Sequence, residues 1–162
     1  MNPFQQTPST PKGALRAIRI LFGAIITGAA IFSLIVLAFN QTTKTSSPVK
    51  EFENIILAAG MGIALIFLII AKDGYNKSMA TAKNSLISLP DKLNRYRSAL
   101  IVYIALCEGP ALFGIILFFV SGYYLMFIIT IIMIAAMLAK APTHQRVVNE
   151  LGLDWEQQQK LD

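Results

Sequence analysis

One carboxylate stands inside a long apolar stretch: Glu108, followed directly by Gly109 and Pro110, lies near the middle of residues 98–120. An acid at this depth in a bilayer costs about 2.5–3.5 kcal/mol to insert, so such groups are usually paired or functional. Pro110 cannot donate a hydrogen bond to the carbonyl of Leu106, and Gly109 removes side-chain bulk beside the acid. The three residues together predict a kinked, locally polar point within an apolar helix.

Two interpretations of Glu108 remain open from the sequence. In the first, a neutral Glu108 fixes the register of the helices by hydrogen bonding across the bundle, with four candidate partners: Thr27, Ser33, Tyr103 and Thr130. In the second, the acid binds and releases a proton or a cation, which is a common reason for an acid within a membrane helix. No second charged residue lies deep within an apolar stretch. The sequence therefore gives no support for a proton relay through several acids.

The other reactive side chains form no pattern that catalysis or metal binding requires. Cys107 is the single cysteine and His144 the single histidine, so the chain has neither an intrachain disulfide nor the spacing of Cys or His ligands. We expect Cys107 to be inert core and His144 to be a solvated surface residue. With no Ser/His/Asp set, no paired acids and no phosphate loop, the sequence predicts a protein that is not an enzyme and holds no metal or cofactor.

The composition places these residues in a membrane protein. Of the 162 residues, 55% are hydrophobic and 14% are charged, whereas about 25% are charged in a typical soluble domain. A hydrocarbon core of about 30 Å requires about 20 apolar residues in a helix, and the first apolar run is too long for a cleaved signal peptide. We expect an all-α integral membrane bundle over residues 14–140, with four transmembrane helices at about 14–39, 54–71, 98–120 and 123–139.

The connections between these helices differ in character. Residues 1–13 contain three prolines among polar residues and predict a disordered cytoplasmic arm. Ser88 and Asp91 form a helix start, so the third helix should begin near Leu89 and project above the membrane. In the central loop before the third helix, apolar residues recur at helical spacing: Met79, Ala82, Leu86 and Leu89. This spacing predicts a short amphipathic helix that lies in the membrane interface.

The C-terminal segment, residues 141–162, predicts a small cytoplasmic helical tail. A first short helix should run from Gln145 to Leu151 and close at Gly152. Asp154, three residues before Gln157, predicts the start of a second short helix. This tail could lie on the membrane or on the protein's own loops, or it could dock a cytoplasmic partner through residues 143–162.

The distribution of basic residues predicts the orientation. Twelve Lys and Arg residues fall on the side that holds both termini and the central loop, and two, Lys44 and Lys50, fall on the other side. Cytoplasmic loops carry an excess of Lys and Arg, so we expect a multi-pass protein of the cell inner (plasma) membrane with both termini cytoplasmic. Because the basic residues are spread over several loops, the net charge of +5 does not predict nucleic-acid binding.

Small residues recur at four-residue spacing on the first two helices: Gly23, Ala24, Thr27 and Gly28 on the first, and Ala58, Gly60, Gly62 and Ala64 on the second. Such spacing lets a neighbouring helix approach closely. We interpret these residues as helix-packing faces. For the second helix, a glycine groove that lines an ion path is the alternative.

The run from Glu108 to Gly114, Glu-Gly-Pro-Ala-Leu-Phe-Gly, resembles the acid-bearing helix of rotary ATPase proteolipid (c) subunits. The order of parts is similar too, with a glycine-bearing helix (Gly60, Gly62), a basic cytoplasmic loop, and then the acid helix running outwards. The resemblance implies that Glu108 would be the ion-carrying carboxylate, and that identical copies of the chain would form a ring.

Taken together, these patterns predict a non-enzymatic inner-membrane protein, an accessory or scaffold subunit of a membrane complex. Its expected partners are the lipid bilayer and other membrane subunits or further copies of itself. The alternative function is a proton or cation translocation element that uses Glu108, as in the proteolipids. A sensor of the lipid surface that works through the basic central loop is a third option.

Overall fold

The computed structural model of the protein describes residues 10–42, 50–83 and 87–161. Within these ranges the chain is helical and contains no β-strand. A short 3₁₀ turn, Lys50–Phe52, precedes the second helix. The helices, in chain order, are α1 Pro11–Thr42, α2 Glu53–Ala82, α3 Leu89–Ser121, α4 Tyr124–Leu138, α5 His144–Leu151 and α6 Trp155–Gln159.

Three helices, α1, α2 and α3, are long and apolar enough to cross a membrane. The fourth helix, α4, is apolar but has 15 residues, which rise about 22 Å in an α-helix. That length is shorter than a hydrocarbon core of about 30 Å. The predicted fourth span at 123–139 is therefore a helix in the expected place, although its length alone does not match a bilayer.

The central helix of the bundle is α3, which packs against α2, α4 and α1. Its buried residues recur every three or four positions along nearly the whole helix, as expected for a helix surrounded by neighbours. Those with almost no exposed surface include Leu93, Tyr96, Leu100, Ile104, Cys107, Ala111, Ile115 and Phe118. Cys107 is fully buried, in line with its expected place in the core.

Helices α3 and α4 approach each other closely at Gly114. A Cβ added to Gly114 would lie 2.8 Å from Oγ1 of Thr130 and 3.1 Å from the backbone nitrogen of the same residue. Beside this contact the Thr130 hydroxyl donates a hydrogen bond of 2.8 Å to the carbonyl of Ala111. A small residue and an interhelical hydrogen bond thus fix the two helices against each other.

The prediction of a short interfacial helix in the central loop is wrong. Residues 72–82 continue α2, and Met79 and Ala82 are buried within the bundle, while Leu86 lies outside the described residues. The physical reason is that Ala71, Tyr75, Met79 and Ala82 keep one helical spacing, so the same face of α2 continues to bury apolar surface.

The predicted starts and ends of several helices are confirmed. Ser88 caps α3, accepting a hydrogen bond from the backbone of Asp91, and α3 begins at Leu89. In the tail, Gly152 closes α5 in the left-handed conformation, and Asp154 accepts a hydrogen bond from the backbone of Gln157 at the start of α6.

The first helix begins earlier than predicted, at Pro11, within the segment expected to be a disordered arm. The Thr10 hydroxyl accepts a hydrogen bond of 3.2 Å from the backbone of Gly13, and proline suits the first turn of a helix because it lacks an N–H group. Residues 1–9 of the predicted arm lie outside the described residues.

Candidate functional site

Glu108 lies within α3, which continues through Pro110 to Ser121 without a break in helical structure. Its side chain is half-buried, between the fully buried Cys107 and the exposed Gly109. The acid therefore stands at the edge of the buried face of α3, where the packed interior meets the outer surface of the bundle.

Three of the four side chains that could have partnered Glu108 donate hydrogen bonds elsewhere. Ser33 donates to the carbonyl of Ala29 at 2.7 Å, and Tyr103 donates to that of Ala136 at 3.2 Å. The Thr130 hydroxyl donates its hydrogen bond to the carbonyl of Ala111. Thr27 is exposed on α1. Across the described residues, no hydrogen bond or ion pair reaches the Glu108 carboxyl, so the internal network of the first interpretation is not formed.

Helix α1 passes beside this part of α3. The Asn40 side chain donates a hydrogen bond of 3.3 Å to the carbonyl of Phe118, and the rings of Phe39 and Phe119 lie 5.8 Å apart. Counting eleven residues back from each member of that ring pair leads to Gly28 on α1 and to Glu108 on α3. Gly28 and Glu108 are therefore equally many residues away from this contact along their own helices.

Small residues lie near Glu108 on the exposed surface of α3. Ala105 and Gly109 are exposed, four residues apart, and nothing lies within 4 Å of a Cβ added to Gly109. We call Glu108, Ala105 and Gly109 the acid notch. Among residues 10–42, 50–83 and 87–161, no three His, Cys, Asp or Glu side chains are grouped so that they could hold a metal ion.

The small residues predicted from spacing fall into two groups. Gly60 and Ala64 are buried, and a Cβ added to Gly60 would lie 2.8 Å from the end of the Ile129 side chain on α4. The others are exposed on the outside of α1 and α2: Gly23, Ala24, Thr27, Gly28, Ala58 and Gly62. Only the first group packs within the described bundle.

A second polar cluster joins the tail to the bundle at the opposite end of α3 from Ser121. Tyr75 on α2 donates a hydrogen bond to the Glu150 carboxylate on α5. Lys140 lies 3.3 Å from the same carboxylate and 4.1 Å from the centre of the Tyr75 ring, a cation–π contact. Arg146 lies 3.9 Å from Glu150 and adds a second positive charge.

The tail packs back on the bundle through apolar residues as well. Val147 and Leu151 on α5 are fully buried, and Leu153 and Leu161 are nearly so. Trp155 is the exception, with 72% of its surface exposed. His144 at the start of α5 is half-buried rather than the solvated residue that the sequence predicts, because the tail folds onto α1 beside it.

Sequence reasoning missed the cluster around Glu150. Its members are separated by up to 75 residues along the chain, and no local sequence pattern predicts a contact over that distance. The available signal was the apolar pair Val147 and Leu151 on one face of a short helix, which indicates burial but does not identify the surface that covers it.

Replacing Glu150 with alanine is expected to loosen the tail. The change removes the acceptor of the Tyr75 hydroxyl and the partner of Lys140, a loss of about 1–3 kcal/mol, so amide hydrogens of α5 should exchange at least fivefold faster. Glu156→Ala, an exposed acid on α6, is the matched control and should leave the exchange unchanged. Equal exchange in wild type and Glu150→Ala would show that apolar packing alone holds the tail.

No protein-family model matches the sequence, and neither the curated proteins nor the solved structures include a match to it. The resemblance to proteolipid subunits therefore rests on the residues from Glu108 to Gly114 and on the order of the parts. The function has to be argued from the geometry of the chain itself.

Proposed function

We propose that the chain is a non-enzymatic accessory or scaffold subunit of a membrane complex, and that it contacts another membrane-spanning helix at the acid notch. The observation that supports this function is the position of Glu108. Glu108 is half-buried at the edge of the buried face of α3, and its carboxyl group has no hydrogen-bond or ion-pair partner among the described residues. A partner chain could supply the missing donor.

The energetics favour such a contact. An acid near the bilayer centre costs about 2.5–3.5 kcal/mol, and a donor on a neighbouring helix recovers part of that cost. Helices approach closely where side chains are small, which is the condition at Ala105 and Gly109. The partner that fits this notch is a membrane helix carrying a hydrogen-bond donor or a basic side chain at the same depth.

The proposal includes a placement in the inner membrane with four spans and with both termini in the cytoplasm. The support is the excess of Lys and Arg at one end of the helices, twelve against two. In this orientation the tail lies on the cytoplasmic side, where the exposed Trp155 is available to a cytoplasmic partner.

Filling the notch tests this function. Gly109→Leu places a large side chain in open space, so the chain should fold normally but lose most of the co-purifying membrane protein after gentle extraction. Gly62→Leu, equally open but on α2, is the matched control and should retain the partner. Loss of the partner with Gly62→Leu and not with Gly109→Leu would move the contact to α2 and refute the role of the notch.

The second candidate function is proton or cation translocation through Glu108, as the proteolipid resemblance implies. The observation in its favour is the same unpaired carboxyl, because a group without a fixed hydrogen bond can exchange a proton or a cation with little reorganisation. Glu108→Gln should preserve assembly but abolish translocation, because an amide does not titrate.

A further inference from the structure

Two cavities adjoin each other where the start of α1 meets the tail. The first, of about 460 Å³, is lined by Lys12, Leu15, Arg16, Arg19, His144 and Leu161. The second, of about 340 Å³, is lined by Arg19, Phe22, Ala141, Pro142, Thr143 and His144. Arg19 and His144 line both, so the two cavities are neighbours, and we call them together the α1–tail site.

The first cavity is strongly basic. Lys12, Arg16 and Arg19 lie on successive turns of α1, and no acidic residue that the structure describes lines either cavity. Nε of Arg19 donates a hydrogen bond of 3.0 Å to the carbonyl of Pro142, which orients the guanidinium. Its remaining N–H groups make no hydrogen bond with a described residue, and neither does the Arg16 side chain. The site therefore presents fixed positive charge that suits a phosphate group.

The second cavity has a different chemistry. Phe22, Ala141 and Pro142 supply apolar surface, and the apolar run of α1 begins at Ile20, directly after Arg19. If α1 crosses the membrane, Arg19 lies at the level where lipid headgroups meet the hydrocarbon. A basic cavity beside a more apolar one at this level fits a molecule with an anionic phosphate and an attached apolar part.

We infer that the α1–tail site binds the phosphate of an anionic phospholipid of the cytoplasmic leaflet, with Arg16 and Arg19 as the main contacts. The inference rests on the proposed placement of the chain in a membrane. Basic pockets at the cytoplasmic ends of membrane helices are suited to such headgroups. Because Ala141 to His144 belong to the tail, the lipid would also tie the tail to α1.

The test uses the full chain in phosphatidylcholine nanodiscs with and without a minor fraction of phosphatidylglycerol. Native mass spectrometry after release from the discs measures the fraction of protein that retains phosphatidylglycerol. Wild type should retain it, and Arg16→Gln/Arg19→Gln should bind it about 30-fold more weakly, since each basic residue near the surface contributes about a fivefold effect. Arg16→Lys/Arg19→Lys keeps the charge and should retain more lipid than the glutamine variant.

The matched control is Lys72→Gln/Arg97→Gln, which removes two exposed charges outside the site. An equal loss in this control would show that general surface charge binds the lipid and would overturn the inference. Displacement of the lipid by inorganic phosphate or glycerol phosphate at similar concentration would assign the site to a soluble phosphate ester instead. A chain that enters the nanodiscs but retains no phosphatidylglycerol refutes the lipid site alone, whereas a chain that does not enter them refutes the membrane placement.

Discussion

Replacing Glu108 with alanine is expected to weaken the association of this chain with the proposed membrane partner about five- to thirtyfold. A hydrogen bond between helices within a membrane contributes about 1–2 kcal/mol, and alanine removes the acceptor altogether. Glutamine keeps a polar side chain of the same length, so Glu108→Gln should retain most of the association. The measurement is the amount of partner that co-purifies with each variant from gently solubilised membranes.

The same pair of variants separates assembly from translocation. If Glu108 carries protons or cations, Glu108→Gln should abolish the flux measured in reconstituted vesicles while the complex stays intact, because an amide does not titrate. Ile116→Ala, at an exposed position of α3, is the control and should change neither property. Unchanged association and unchanged flux in both Glu108 variants would remove both proposed roles of the acid.

Gly114→Ala should destabilise the bundle by about 1–3 kcal/mol. The new Cβ would lie 2.8 Å from the Thr130 hydroxyl, 3.0 Å from Cβ of Ile129 and 3.1 Å from a backbone nitrogen of α4. Because backbone cannot move aside as a flexible side chain can, α3 and α4 must separate, with the cost of an overpacked core. That cost exceeds the gain of about 0.5–1 kcal/mol that alanine brings over glycine within a helix. The measurement is the free energy of unfolding in detergent, compared between the purified wild-type protein and the Gly114→Ala variant.

Two other glycines serve as graded controls for this prediction. At Gly60 the nearest atom is the end of the Ile129 side chain, which can rotate, so Gly60→Ala should cost less than Gly114→Ala. At Gly62 nothing lies within 4 Å, so Gly62→Ala should be neutral or slightly stabilising. A Gly114→Ala protein as stable as Gly62→Ala would contradict the close approach of α3 and α4.

The helices and their ends could be predicted from the sequence because the determinants are local. Ser88 directly precedes the first turn of α3 and accepts a hydrogen bond from the backbone of Asp91 within that turn. Gly152 ends α5 because glycine adopts the left-handed conformation there at no steric cost. Long apolar runs likewise predict helices of sufficient length to cross a membrane, and α1, α2 and α3 have that length.

The long-range features could not be read in the same way. The four-residue spacing of Gly60 and Ala64, which are buried, is the same as that of Ala24 and Gly28, of which neither is buried. Spacing identifies a face but does not tell whether the chain itself covers it. The hydrogen bond between Tyr75 and Glu150 could not be predicted either, because it depends on how the tail folds back onto the bundle and not on any local pattern.

The hydrogen-bond partners around Glu108 could not be predicted from the sequence either. The sequence offered Ser33, Tyr103 and Thr130 as hydrogen-bond donors, and in the structure each donates to a backbone carbonyl instead. A hydroxyl in a membrane helix often bonds to a carbonyl of its own or a neighbouring helix, because such acceptors are always near. The acid consequently remains without a partner among the described residues.

The native mass of the chain after gentle extraction from membranes tests whether it is a subunit of a membrane complex. We expect an assembly of defined mass that contains this chain and at least one other membrane protein, and that retains less of that protein when Glu108 is replaced by alanine. A chain that migrates alone would contradict the proposed role as a subunit. A closed ring of identical copies would contradict it as well and would favour the proteolipid-like alternative.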